Sequence, residues 1–128
     1  MIKYISKILK DNYPLYNRYS EDVDQGFKQP CFFIRKINGS GKRLMGRKFE
    51  LNSLYSVQFF PDEENEKAKC IEIENSFYSL FETVNGIHSS NMDSVILDNV
   101  LTFTFSLDYT VNIKQEDVEN MEIINIKY

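Results

Sequence analysis

The residues of this chain that most invite a chemical reading are Gly39-Ser40-Gly41-Lys42-Arg43, where glycines beside a lysine could cradle a phosphate. A phosphate loop needs a glycine five positions before its Gly-Lys pair, and Lys36 stands there. It also needs Ser or Thr after the lysine to hold magnesium, and Arg43 stands there. His88 is the only histidine, and no cysteine or second histidine lies at metal-ligand spacing from it, so zinc is not expected. Glu21-Asp22, Glu63-Glu64 and Glu116-Asp117 fall in turns or at helix starts, where carboxylates act as solvated caps rather than as an acid/base pair. Ser40 has no partner base. Asn38-Gly39-Ser40 matches a glycosylation acceptor, a coincidence in a chain that shows no export signal. The expectation is no catalytic residue, no metal, no cofactor and no enzyme.

Charge carries more information. Arg35, Lys36, Lys42, Arg43, Arg47 and Lys48 are six basic residues within fourteen positions, with no acid among them. The rest of the chain holds nine basic residues against nineteen acids, so a basic finger sits on an acidic body. Such segregation suits contact with phosphate or with an acidic protein surface; the plain alternative is a solvated hairpin tip. The formal net charge of −4 argues against bulk coating of nucleic acid.

The elements that must position this finger follow from hydrophobic spacing. At 128 residues the chain is expected to form one domain, 1–128, with a sizeable core. Ile2, Ile5, Ile8 and Leu9 recur at helical spacing and predict a first helix ended by Asn12 and Pro14. Residues 15–20 read as a short strand, followed by an acidic turn in which Gly26 is expected at positive φ. Pro30 then sets the entry to the buried run Cys31-Phe32-Phe33-Ile34. Asn38-Gly39-Ser40-Gly41 reads as a flexible tip and 48–60 as a long extended segment, interrupted in its apolar alternation by Ser53. Asp62 reads as an N-cap, and Cys70, Ile73, Phe77, Leu80, Phe81 and Val84 predict a second helix running to Val84, closed by Asn85-Gly86. Residues 92–97 and 100–113 flank the hairpin signal Asp98-Asn99, and 101–113 is longer than a small sheet uses internally. It must bend through a bulge or project and pair with a neighbour. Residues 115–128 read as a terminal strand or docking tail. The order α-β-β-β-α-β-β gives an α+β fold with a mainly antiparallel sheet and helices on one face. Cys31 and Cys70 form no CxxC and are expected reduced and buried.

The stretch from Tyr19 through Ser20-Glu21-Asp22-Val23-Asp24-Gln25-Gly26-Phe27-Lys28-Gln29 to Pro30-Cys31-Phe32-Phe33-Ile34 resembles a segment of the phage and prophage tail-terminator family, in which an acidic stretch and a glycine precede Pro-Cys-Phe-Phe. Tyr55-Ser56-Val57-Gln58-Phe59-Phe60-Pro61 is similar to that family's strand before its second helix, and 101–111 to its final long strand. The resemblance covers residues 1–113. It implies a virion structural protein that caps a tail or tail-like tube as a ring, six-membered in the family, and fixes tail length. Its implied partners are further copies of itself, the tube protein, the sheath of a contractile tail, and neck or head-completion proteins. DNA would be a partner only if the lumen carries it, and no membrane is implied. The implied location is the host cytoplasm during assembly, then the particle. The competing reading is a small nucleic-acid-binding module using 35–48, which would need exposed aromatics for stacking.

Overall fold

The period-2 run becomes β6 (Val100–Asn112), which pairs antiparallel with β3 (Lys48–Phe60) from Leu101↔Phe59 to Asn112↔Lys48 without a register slip. On its other side β3 pairs antiparallel with β2 (Cys31–Arg43), from Cys31↔Phe60 to Arg43↔Phe49, with Ile37 bulged between Lys36 and Asn38. β1 (Asn17–Ser20) lies parallel to residues 31–34 at one edge. β5 (Ile87–Leu97) and the two-residue β4 (Thr83–Val84) extend the other edge, giving the order β1-β2-β3-β6-β5-β4. With helices α1 (Ile2–Asn12) and α2 (Glu66–Leu80) the fold is α+β. This computed structural model describes residues 1–20, 28–62 and 66–112; Gly26 and its acidic stretch, Glu63-Glu64 and the segment 115–128 lie outside the described residues.

Both helices pack on one face of the sheet. Ile5 and Leu9 of α1 and Cys70, Ile73 and Phe77 of α2 form one buried cluster with Phe32, Ile34, Tyr55, Val57, Phe59, Leu101, Phe103, Phe105 and Leu107. This is the parity that alternation along β3 and β6 requires. Phe77 sits at the centre, its ring centroid 5.0 Å from Phe81, 5.4 Å from Phe103 and 5.8 Å from Phe32. Ser53, the break in the β3 series, is buried and hydrogen-bonds Tyr55, whose phenol pKa is raised first by burial and then by Tyr109. α1 ends where the Asn12 amide donates to the Ile8 carbonyl (2.8 Å), just before Pro14.

α2 is shorter than its sequence pattern predicts. It stops at Leu80, and Thr83 and Val84 pair with His88 and Ile87 instead. Asn85 and Gly86 have φ of 51° and 79°, so this dipeptide makes a tight hairpin turn rather than a helix stop. Asn-Gly serves both purposes, and the β-branched Thr83 and Val84 favour the strand. Ser89 fixes the junction: its hydroxyl donates to the Phe81 carbonyl and its amide to the Glu82 carbonyl. Asp98 and Asn99, with φ of 52° and 60°, close the β5–β6 hairpin as the sequence predicts. β5 itself begins five residues earlier than the sequence reading, at Ile87. Pro30 directly precedes β2, joined to Gln29 by a cis peptide.

Cys31 and Cys70 are free and buried. Burial pushes the Cys31 thiol up to about 11 and raises Cys70 in the same direction. An unfolded thiol ionises near ~8.5. Native stability is therefore insensitive to these groups below that pH and falls as pH rises toward 11. Denaturation midpoints measured from pH 7 to 9.5, below the range where the buried Tyr55 phenol contributes, will show the decline, and replacing both cysteines with Ala will reduce it. Phe77→Ala removes the central ring and will cost about 3–5 kcal/mol in urea unfolding.

Candidate interaction surface

The three longest strands outrun the helices that cover them. Along β3 the helix-side residues Phe59, Val57 and Tyr55 are buried, whereas Leu51 and Phe49 are only half-buried. β6 shows the same fall, from Leu101, Phe103, Phe105 and Leu107 to half-buried Tyr109 and Val111. β1 leaves β2 at Ser20↔Ile34, and β5 leaves β6 at Ser89↔Leu107. Beyond those points β2, β3 and β6 continue together as a three-stranded blade, closed between β2 and β3 by residues 44–47, where the Leu44 amide donates to the Lys48 carbonyl (2.8 Å).

All six basic residues of the finger belong to this blade or its base, but they do not form one patch. Alternation and register place Arg35, Lys42 and Lys48 on the face away from the helices, and Lys36 and Arg43 on the helix side. Arg47 is exposed in the turn. Opposed to them on the blade are Glu50, the cross-strand partner of Lys42, and Asp108, which accepts a hydrogen bond from the Asn52 amide. The Arg43 guanidinium lies 6.0 Å from the centre of the Phe49 ring directly across the ladder. Lys36 lies near the start of α1, where the Met1 amine is lowered first by burial and then by Lys36 and Lys3.

The sequence expectation of a flexible tip at Asn38-Gly39-Ser40-Gly41 is overturned. These four residues are in β2, paired with Leu54, Ser53, Asn52 and Leu51. Their glycines make room for neighbouring side chains. A Cβ on Gly39 would stand 2.9 Å from Lys36 Cε, and one on Gly41 would stand 3.2 Å from Leu51 Cδ2, so both neighbours lie across bare backbone. The true turn glycine is Gly46, at φ +74°. Arg43 and Lys48 are strand residues too, paired with Phe49 and Asn112.

The sheet face away from the helices was not legible as a unit. It carries Thr102, Thr104, buried Ser56 and Ser106, and Gln58, whose amide donates to Thr102 Oγ1 (3.2 Å). Val95 and Leu97 stand on it 56% and 69% exposed. His88 is exposed, paired with Thr83 across the small hairpin. Among the described residues no three His, Cys, Asp or Glu side chains gather as a metal site, and no helix is long and apolar enough to cross a membrane.

The model of the family described as "Phage tail terminator protein" matches residues 1–119. The chain belongs to the phage tail terminator family. The match spans the described body and blade and runs past the end of β6. As a tail terminator the protein is a structural component of a phage tail and interacts with other tail components. No curated protein matches the chain.

The two kinds of glycine in the terminator's blade separate in stability. Gly46→Ala meets no neighbour within 4 Å, so its cost is that of the left-handed backbone, about 1–2 kcal/mol. Gly39→Ala meets the flexible end of Lys36, with Ser53 Oγ at an ordinary contact distance of 3.6 Å, and will change stability by no more than about 0.5 kcal/mol. Urea unfolding of the two variants will show this order.

Proposed function

We propose that this terminator closes the finished tail tube as a ring, fixes tail length at that point, and joins the tube, with the sheath in a contractile tail, to the neck or collar. The observation that carries the reading is the basic blade. Lys42, Arg43, Arg47 and Lys48 stand on a three-stranded extension that reaches beyond the helices, with Arg35 and Lys36 at its base, while the rest of the chain is acidic. Like charges gathered on an exposed extension repel one another and do nothing for folding; they make physical sense against a complementary surface met on assembly. An acidic surface of the tube or of a neighbouring copy is that complement. The ring supplies a place for it, because a heterologous contact closes into a ring when the rotation per subunit divides a full turn.

The aromatic residues bear on the competing nucleic-acid reading. Single-strand binders stack bases on exposed rings. Here Phe32, Phe59, Phe103 and Phe105 are fully buried, and Phe33 is 8% exposed. Arg43 and Phe49 already stack on each other.

Replacing Lys42, Arg43, Arg47 and Lys48 with Ser together tests the reading. All four are exposed, so the fold will hold. Exposed charge pairs contribute about 0.2–1 kcal/mol each, so tube-end affinity should fall by roughly tenfold or more. The difference should be largest at low salt, where screening is weakest. Microscopy of tails built with the variant will show abnormal lengths or unfinished ends. Normal tails with unchanged incorporation would reduce the finger to a solvated blade.

A further inference from the structure

Two features of the blade remain unused by that reading. The first is an open strand edge. Among the described residues no strand lies along the outer side of residues 38–43, since β1 pairs only with residues 31–34. At ~3.3 Å per residue this edge is about 20 Å long. Gly39, Ser40 and Gly41 present little side chain along it, so its backbone is within reach of another chain. The second is where the chain goes next. On the opposite side of the blade β6 runs to Asn112 at the tip, beside Lys48, and the sequence continues. Residues 113–128 carry Glu116, Asp117, Glu119 and Glu122 against Lys114 and Lys127, followed by the β-prone run Met121-Glu122-Ile123-Ile124-Asn125-Ile126-Lys127-Tyr128.

We propose that residues 121–128 of one copy add as a strand to the open 38–43 edge of the next copy. The inference rests on the ring reading, in which the β6 side of one blade faces the β2 side of its neighbour. A chain leaving the tip of β6 then turns back and runs antiparallel to the neighbour's β2. The connecting residues 113–120 can span at most about 27 Å, several times the ~4.8 Å between paired strands. Their acids Glu116, Asp117 and Glu119 pass the neighbour's Lys42, Arg43 and Arg47, so charge favours this direction of hand-over. Main-chain hydrogen bonds supply the affinity, and β2 changes from an edge strand to an interior one. The chain's own 38–43 edge lies on the far side of β3 from its departing C-terminal segment.

The test places the photo-crosslinker p-benzoylphenylalanine at Ser40 of the full chain, and separately at Lys42 in case one position disturbs folding. Nitrogen-14 and nitrogen-15 labelled proteins are mixed, assembled on tail tubes, irradiated and digested, and rings are scored by microscopy in the same sample. The expected result is cross-linked peptides joining light to heavy chains, with the captured partner within residues 121–128. Rings without such cross-links overturn the inference and leave the ring reading standing. Cross-links to 121–128 confined to single-isotope pairs also overturn it, because the segment would then serve its own chain. Absence of both rings and cross-links overturns the ring reading and this inference with it.

Discussion

The rest of the structure depends on the unbroken ladder that β3 makes with β6 on one side and, past a single bulge, with β2 on the other. A strand rises ~3.3 Å per residue and a helix 1.5 Å, so a thirteen-residue strand is about 43 Å long while the fifteen-residue α2 spans about 22 Å. Helices of this size cannot cover strands of that length. The sheet divides in consequence. One end lies under α1 and α2 and holds the aromatic core; the other emerges as the blade.

That division explains how one chain can hold an apolar core and a charged extension in the same three strands. Under the helices, the inward positions of β3 and β6 are Phe, Tyr, Val and Leu and are fully buried. On the blade the same parity continues with Phe49, Leu51, Tyr109 and Val111, now half-exposed and sheltered by long neighbours such as Arg43. Arginine and lysine suit this position because their stems cover apolar surface while their charged ends stay in water. Gly39 and Gly41 serve the same end, since bare backbone gives the Lys36 and Leu51 side chains somewhere to lie.

Under the proposed function the blade is also where structural and assembly demands meet. Its strand edges and charges contribute little to the buried core, and a compact tail protein without partners would gain nothing from them. A tail terminator interacts with other tail components, and the function proposed above assigns those contacts to the blade. A rigid, hydrogen-bonded projection loses less conformational entropy on docking than a mobile loop of the same charge.

Much of the architecture was legible in the sequence because it depends on local spacing. The 3.6-residue recurrence of Ile5 and Leu9, the two-residue alternation from Leu101 to Leu107, and the Asp98-Asn99 turn each state their own conformation within a few residues. The resemblance carried by Pro30-Cys31-Phe32-Phe33 reached the family for the same reason, since a short run of residue types needs no tertiary partner to be recognised. Asn85-Gly86 and Gly39-Ser40-Gly41 were different. Each is compatible with two backbone states, and strand pairing chooses between them: Ile87 and His88 draw Thr83 and Val84 into a strand, and the more distant residues 51–54 hold the glycines in a ladder. The clustering of six cations was plain in the sequence, but their split over two faces and a turn was not. The face of a strand residue depends on register, and the bulge at Ile37 shifts the register of every β2 residue after it.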